Sequence, residues 1–196
     1  MSARPLRPAV FLDRDGVIIE NRDDYVKSIA EVHFIRGVLD ALARLARLDV
    51  LIVIATNQAA IGRGFVTRAA ADAINAYVRK QIEAAGGRVD GLYMCPHRPE
   101  ENCLCRKPAP GMLLEAARDL GIDLAASVMI GDALTDVKAA RAAGVRSILV
   151  LTGLGRRQTR ELAAPELNHT LTVPDLAAAI EQLSGGTRWL TKTPPA

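Results

Sequence analysis

Ala9-Val10-Phe11-Leu12-Asp13-Arg14-Asp15-Gly16 is an apolar run of four that ends in two acids, two positions apart, and a glycine. A short run that is apolar throughout reads as a strand buried on both faces. Side chains two apart on an extended chain point the same way, so Asp13 and Asp15 can face one site, and Gly16 allows a sharp exit. Two readings compete. Asp and Gly are ordinary turn residues and can simply be solvated; alternatively, two carboxylates held together share a hard cation such as Mg²⁺, bound through oxygen.

The rest of the chain repeats the pattern. Val50-Leu51-Ile52-Val53-Ile54-Ala55, a segment near 88–94, Ser127-Val128-Met129-Ile130 and residues 145–151 read as four more strands. Helical spacing separates them. It is carried by Val38, Leu39, Leu42, Leu45 and Leu48, then by Ile74, Tyr77, Val78 and Ile82 behind a Thr67 cap. Met112, Leu113 and Leu120 follow between Pro110, a first helical position, and the stop at Gly121. A further helix is expected from about Thr135 to Ala143, and a last one after Pro174 buries Leu176, Ile180 and Leu183. Apolar strands that alternate with helices predict an α/β fold: one Rossmann-like parallel sheet with helices on both faces. Residues 1–186 are expected to form a single domain, with 187–196 a flexible tail.

Length and composition agree with one globular domain. The chain has 196 residues, 49% of them hydrophobic and 24% charged. A net charge of +3 and 4% aromatic residues are too little cation and too few stacking platforms for a nucleic-acid partner. No run reaches the roughly 18–20 apolar residues of a membrane span, and the first residues make a poor export signal. A cytoplasmic location, no membrane contact and a monomeric state are therefore expected.

In such sheets the ligand site lies beyond the carboxyl ends of the strands. After the first strand stand Asp13 and Asp15; after the second, Thr56-Asn57-Gln58; after the fourth, Gly131-Asp132 with Asp136 at the next helix start. Arg106-Lys107-Pro108 lies between the third and fourth. Each has an ordinary alternative: a polar loop, a helix-start acid that complements the dipole, a solvated basic pair. Taken together, they gather carboxylates, a hydroxyl and an ammonium at successive tips of one sheet, which suits metal-assisted phosphoryl transfer through a carboxylate nucleophile. Neither a P-loop nor a G-x-G-x-x-G is present.

From Phe11 to about Leu151 the chain resembles the haloacid dehalogenase superfamily of phosphatases, with Asp13-Arg14-Asp15-Gly16, Thr56, Lys107 and Gly131-Asp132 in the family order. The resemblance implies that Asp13 is the nucleophile, that Asp15 protonates the leaving oxygen and later activates water, and that Thr56 and Lys107 hold the phosphoryl group. It implies Mg²⁺ on Asp13, the Asp15 backbone carbonyl and Asp132, with Asp136 in support. Arg14, Asn21, Tyr25, Asn57, Gln58 and Arg106 are expected to contact substrate. The segments after the first two strands are too short for a large cap domain, so the site should be open, walled by residues 19–25 and the cysteine loop.

That loop holds every cysteine of the chain: Cys95-Pro96-His97 and Cys103-Leu104-Cys105. Three thiols and an imidazole suit tetrahedral Zn²⁺, closed by four protein ligands and therefore structural. The alternative is free thiols beside a surface histidine, and the surrounding loop residues offer little to bury thiols against. Within the superfamily this window resembles the heptose-bisphosphate phosphatases and their relatives, the histidinol-phosphate phosphatases. Asp24-Tyr25-Val26, Phe34-Ile35-Arg36-Gly37-Val38, Ile61-Gly62-Arg63-Gly64 and Lys107-Pro108-Ala109-Pro110-Gly111-Met112 favour the heptose branch. Ala59-Ala60, Ile19 and Ala133 depart from it, where the family often has Ser-Gly, Asn and Lys, and these departures are expected on the substrate surface. The expected activity is Mg²⁺-dependent hydrolysis of a small sugar bisphosphate. Histidinol phosphate is the alternative substrate, and a zinc-stabilised binding module without catalysis is the alternative class.

Overall fold

A computed structural model of the chain describes residues 5–161 and 170–185. The first strand, β1 (Ala9–Leu12), lies at the centre of a six-stranded sheet. Around it stand β2 (Leu51–Asn57), β3 (Gly91–Cys95), β4 (Val128–Gly131), β5 (Arg146–Val150) and β6 (Thr170–Val173), in the order β3-β2-β1-β4-β5-β6, with every pairing parallel. The α-helices among the described residues are α1 (Val38–Leu45), α2 (Ala59–Gly62), α3 (Arg68–Ala84), α4 (Gly111–Leu120), α5 (Leu134–Ala142), α6 (Gly155–Glu161) and α7 (Leu176–Ser184). The expected tail, 187–196, lies outside the described residues.

Strand alternation feeds two cores. Val10, Leu12, Ile52, Ile54, Ile130, Ile148 and Val150 pack against Val38, Leu42 and Leu45 of α1, Ile74 and Val78 of α3, and Ile180 and Leu183 of α7. Ala9, Phe11, Val53, Ala55 and Met129 turn the other way, onto Met112, Leu113 and Ala116 of α4 and Ala140 of α5. This two-sided burial is why the strands read as unbroken apolar runs.

Three differences from expectation have physical causes. The sixth strand, Thr170-Leu171-Thr172-Val173, is an edge strand with one buried residue, so no apolar run marks it. The third strand is β3 and runs to Cys95; it is the opposite edge, mostly half-buried, and its outline in sequence is correspondingly faint. Pro110 sits just before α4 as its cap rather than at its first position. Thr67 does cap α3, accepting the Ala70 N–H at 3.1 Å.

Candidate active site

Pairing in register carries Leu12 out beside Ile54 on β2 and Ile130 on β4. Asp13 therefore emerges flanked by the tips of both neighbours, and its N–H donates to the Ile130 carbonyl at 3.0 Å. Thr56 is the last residue but one of β2, Asp132 follows β4, and Asp136 lies in the first turn of α5; all three are buried. Carboxylate oxygens of Asp13, Asp132 and Asp136 lie within 4.8 Å of one another.

Lys107 reaches this cluster from the loop after β3 and is itself buried. Its Nζ lies 3.0 Å from Asp13 Oδ1 and 2.6 Å from Asp136 Oδ1, and donates to the Ala55 carbonyl at 2.7 Å. The ammonium thus faces two carboxylates as ion pairs and one carbonyl as a hydrogen bond, while Asp136 Oδ1 is left without a hydrogen bond of its own. Burial works against the ammonium, but Asp13 and Asp136 outweigh it and hold Lys107 above its usual range. The acids outnumber it. Burial first, then the mutual repulsion of the carboxylates, pushes Asp13 up to about 7 and Asp132 up to about 8. Buried oxygens so short of positive charge fit a divalent hard cation, which would reverse those shifts.

Two glycines make room for Asp132. Gly16 has φ +84° and Gly153 φ +52°, and a Cβ on either would lie 2.0 Å from Asp132 Oδ2. The same oxygen accepts the Leu154 N–H at 2.8 Å, while the Thr152 hydroxyl donates to the Gly16 carbonyl at 2.6 Å. This loop after β5 belongs to the site and was not singled out in the sequence. Its only mark there is a Thr-Gly pair at a strand end.

Three residues expected to touch substrate have polar groups engaged by the side chains and backbone around the cluster. Asn57 braces the Lys107 backbone in both directions, donating to its carbonyl at 3.0 Å and accepting its N–H at 3.1 Å. Gln58 Nε2 donates to Asp15 Oδ2 at 2.7 Å and to Thr56 Oγ1 at 2.8 Å. Arg14 is 1% exposed, and its guanidinium is engaged by Asp15 and Asn75. The physical reason is shared: buried acids, hydroxyls and backbone groups need partners, and the nearest polar side chains supply them.

Asn21 lines an open groove of about 1010 Å³ with Glu20, Asp23, Arg36, Arg156 and Arg157, whose floor is the Thr152–Leu154 loop against Asp132. Tyr25 stands in the left-handed region at φ 66°, its ring 5.9 Å from that of Phe65. Arg106 is half-buried, and its Nη1 donates to the His97 carbonyl at 3.1 Å. Ile19 and Ala60 are buried in the core, not on a substrate surface, as their apolar character requires.

The cysteine loop closes on itself. Cys95, Cys103 and Cys105 sulfurs lie 3.2–3.6 Å apart, and His97 Nδ1 lies 3.6 Å from Cys95 and 3.2 Å from Cys105. A disulfide is roughly 2.05 Å, so these thiols are unbridged. Zinc bonds of about 2.3 Å to sulfur and about 2.0 Å to nitrogen put tetrahedral ligand atoms roughly 3.5–3.8 Å apart, close to what is found. The expectation that nothing buries these thiols needs correction: Cys95 is fully buried at the end of β3, and Cys103 and Cys105 pack partly on the α4 core.

Residues 104–179 match the sequence model of the HAD-hydrolase-like family. The chain is 42% identical over 174 residues to the D-glycero-beta-D-manno-heptose-1,7-bisphosphate 7-phosphatase of Bordetella bronchiseptica, covering 89% of this chain and 96% of that protein. It is 40% identical over 177 residues to the enzyme of the same name from Pseudomonas aeruginosa, covering 90% and 98%. The crystal structure of the B. bronchiseptica phosphatase, complexed with magnesium and phosphate, superimposes with a TM-score of 0.86 over 91% of this chain and 98% of that one. The D,D-heptose 1,7-bisphosphate phosphatase of Burkholderia thailandensis, 32% identical, gives 0.71 over 92% and 100%.

Proposed function

The chain belongs to the haloacid dehalogenase-like phosphatases, as a phosphoric monoester hydrolase of the heptose-bisphosphate phosphatase branch, and on that premise we propose that it removes the 7-phosphate of D-glycero-D-manno-heptose 1,7-bisphosphate for envelope polysaccharide synthesis. The observation that carries the reading is the Lys107 ammonium bridging Asp13 and Asp136 beside Asp132, at the tips of adjacent strands.

Asp13 Oδ1 is held by the Arg14 N–H at 2.7 Å and by Lys107, which leaves Oδ2 without a hydrogen bond among the described residues and available to attack phosphorus. The phosphoryl group passes to Asp13 as the alcohol leaves, and Asp15 supplies the alcohol's proton. Water then attacks the aspartyl-phosphate and gives a proton to Asp15, which frees inorganic phosphate and restores Asp13. Thr56 and Lys107 donate to the equatorial phosphoryl oxygens. Asp13, Asp132 and the Asp15 carbonyl would hold Mg²⁺, whose chemistry when bound is to offset the negative charge of phosphoryl group and carboxylates together. Zn²⁺ would sit on Cys95, His97, Cys103 and Cys105 and act structurally, since four protein ligands leave no position for water. Arg106 would take the non-reacting phosphate through a bidentate contact, while Asn21 and Tyr25 flank the sugar. Thiols kept reduced for a metal fit a cytoplasmic enzyme, and the open site is complete within one chain, which fits a monomer.

The test is kcat/KM with Mg²⁺ on heptose 1,7-bisphosphate, histidinol phosphate and fructose 1,6-bisphosphate. The heptose is expected to lead by at least about tenfold, a margin that one well-used polar contact supplies. A lead by histidinol phosphate would overturn the assignment.

A further inference from the structure

We propose that Arg14 and Asn75 form a positioning clamp that fixes the plane of the Asp15 carboxylate for proton transfer; this rests on the reading of Asp15 as the acid and base of the reaction. Arg14 is the largest fully buried side chain of the described residues. An ion removed from water needs an excellent set of partners, and an apolar side chain of that volume would be the less costly way to fill the space. The polar alternative is spent on one carboxylate.

Arg14 Nε donates to Asp15 Oδ2 at 3.2 Å and Nη2 to Asp15 Oδ1 at 3.1 Å, a two-pronged contact that fixes orientation as well as distance. Neighbours on a strand point to opposite faces. The contact forms because the chain turns sharply here, with Gly16 N–H donating to the Ile19 carbonyl at 2.7 Å. The third arm of the guanidinium, Nη1, donates to Asn75 Oδ1 at 2.7 Å. Asn75 is buried on the inner face of α3 and is itself tied to Met94 of β3 at 3.3 Å. The fork is thus anchored to α3, a helix that supplies none of the residues assigned to the chemistry or to a metal.

The Arg14 guanidinium pairs with the Asp15 carboxylate and with none of Asp13, Asp132 and Asp136. Gln58 adds a further donor to Asp15 Oδ2, leaving Oδ1 the less engaged oxygen and the one placed to carry the proton. Proton transfer demands heavy-atom approach of about 2.6–3.2 Å in the right direction, and a misplacement of about 1 Å can cost 10²-fold. A clamp on the carboxylate plane supplies that direction.

Leaving-group dependence separates this role from a merely structural one. p-Nitrophenolate departs with little help, whereas an alkoxide needs its proton, and kcat/KM reports the step in which the bond to the leaving group breaks. Asp15→Asn should lose at least about 100-fold on an alkyl phosphate and far less on p-nitrophenyl phosphate. Asn75→Leu and Arg14→Lys should show the same selectivity, with losses of about 10–100-fold on the alkyl ester and under about threefold on the aryl ester. Asn75→Asp keeps an acceptor for Nη1 and should recover most of the alkyl-ester rate. Far-UV circular dichroism confirms folding, and Asn75→Ser, which withdraws the acceptor with less steric change, replaces Asn75→Leu if that variant does not fold. Selective loss in Asp15→Asn with equal or no losses in the Arg14 and Asn75 variants would overturn the clamp alone. Absence of selectivity in Asp15→Asn would overturn the acid–base reading and the clamp with it.

Discussion

The described residues hold two clusters of groups able to ligate metal, and they are secured differently. The carboxylates stand on strand tips, so their positions follow from the register of β1, β2 and β4 and from two packed cores. The thiols stand mostly on a loop: only Cys95 is fixed by a strand, and Leu104, between the other two, is 84% exposed. One cluster is placed by paired strands; the other rests on a loop that is fixed by Cys95 at the end of β3 and by partial packing of Cys103 and Cys105 on the α4 core. Lys107 is the instructive case between them. It follows Cys105 by two residues, and its place in the sequence suggests that zinc ligation aims it. In the structure Asn57 and the Ala55 carbonyl moor it to β2 instead. Arg106, which donates to the His97 carbonyl, is the cation that depends on the thiol loop.

The first way to break this contrast is Asp13→Asn, which should abolish turnover and trap no phosphoenzyme, since an amide is a poor nucleophile and a weaker metal ligand. The circular dichroism and melting curve should stay near those of the parent; measurable turnover in a homogeneous preparation would remove Asp13 from its role. Lys107→Ala should reach into stability as well. With Mg²⁺ chelated, it leaves Asp13 and Asp136 facing each other without their counter-charge, and removing one partner of a buried ion pair costs about 3–5 kcal/mol. Urea unfolding reads this directly, and an unchanged midpoint would mean that the cluster is not tied to the fold.

The strand-tip cluster was legible in the sequence because its ligands follow apolar runs whose register can be anticipated: Asp13, Thr56 and Asp132 come out where the runs end. The thiol set was legible because three cysteines fall in one window. Other parts carry no such mark. Thr170–Val173 joins the sheet at an edge, where burial is one-sided and short. Arg14 reads as a substrate contact until Asn75, 61 residues on, is brought against it. Asn57 and Gln58 look like loop amides free for a ligand, and only the fold reveals that their donors are already engaged.

Smaller effects sharpen the comparison. Arg106→Ala should lower kcat/KM on the sugar bisphosphate by about 10–150-fold, the worth of one charged hydrogen-bonded contact of roughly 1.5–3 kcal/mol, and leave p-nitrophenyl phosphate nearly untouched. Equal losses on both would mean that Arg106 serves the chemistry or the fold. Zinc removal, or Cys105→Ala, should mimic that selectivity at about tenfold, because the loop loosens while Lys107 stays moored. Elemental analysis should find about one zinc per parent chain. Full activity of zinc-free, thiol-reduced protein on the bisphosphate would separate the two clusters altogether.

Asp132 sits in a slot one methyl group wide, between Gly16 and Gly153. Neither position can accept any other residue while the carboxylate stays where it is, and relaxing one leaves the other just as restrictive. Gly16 and Gly153, far apart in the chain, are therefore one steric unit: a side chain at either displaces the Asp132 carboxylate.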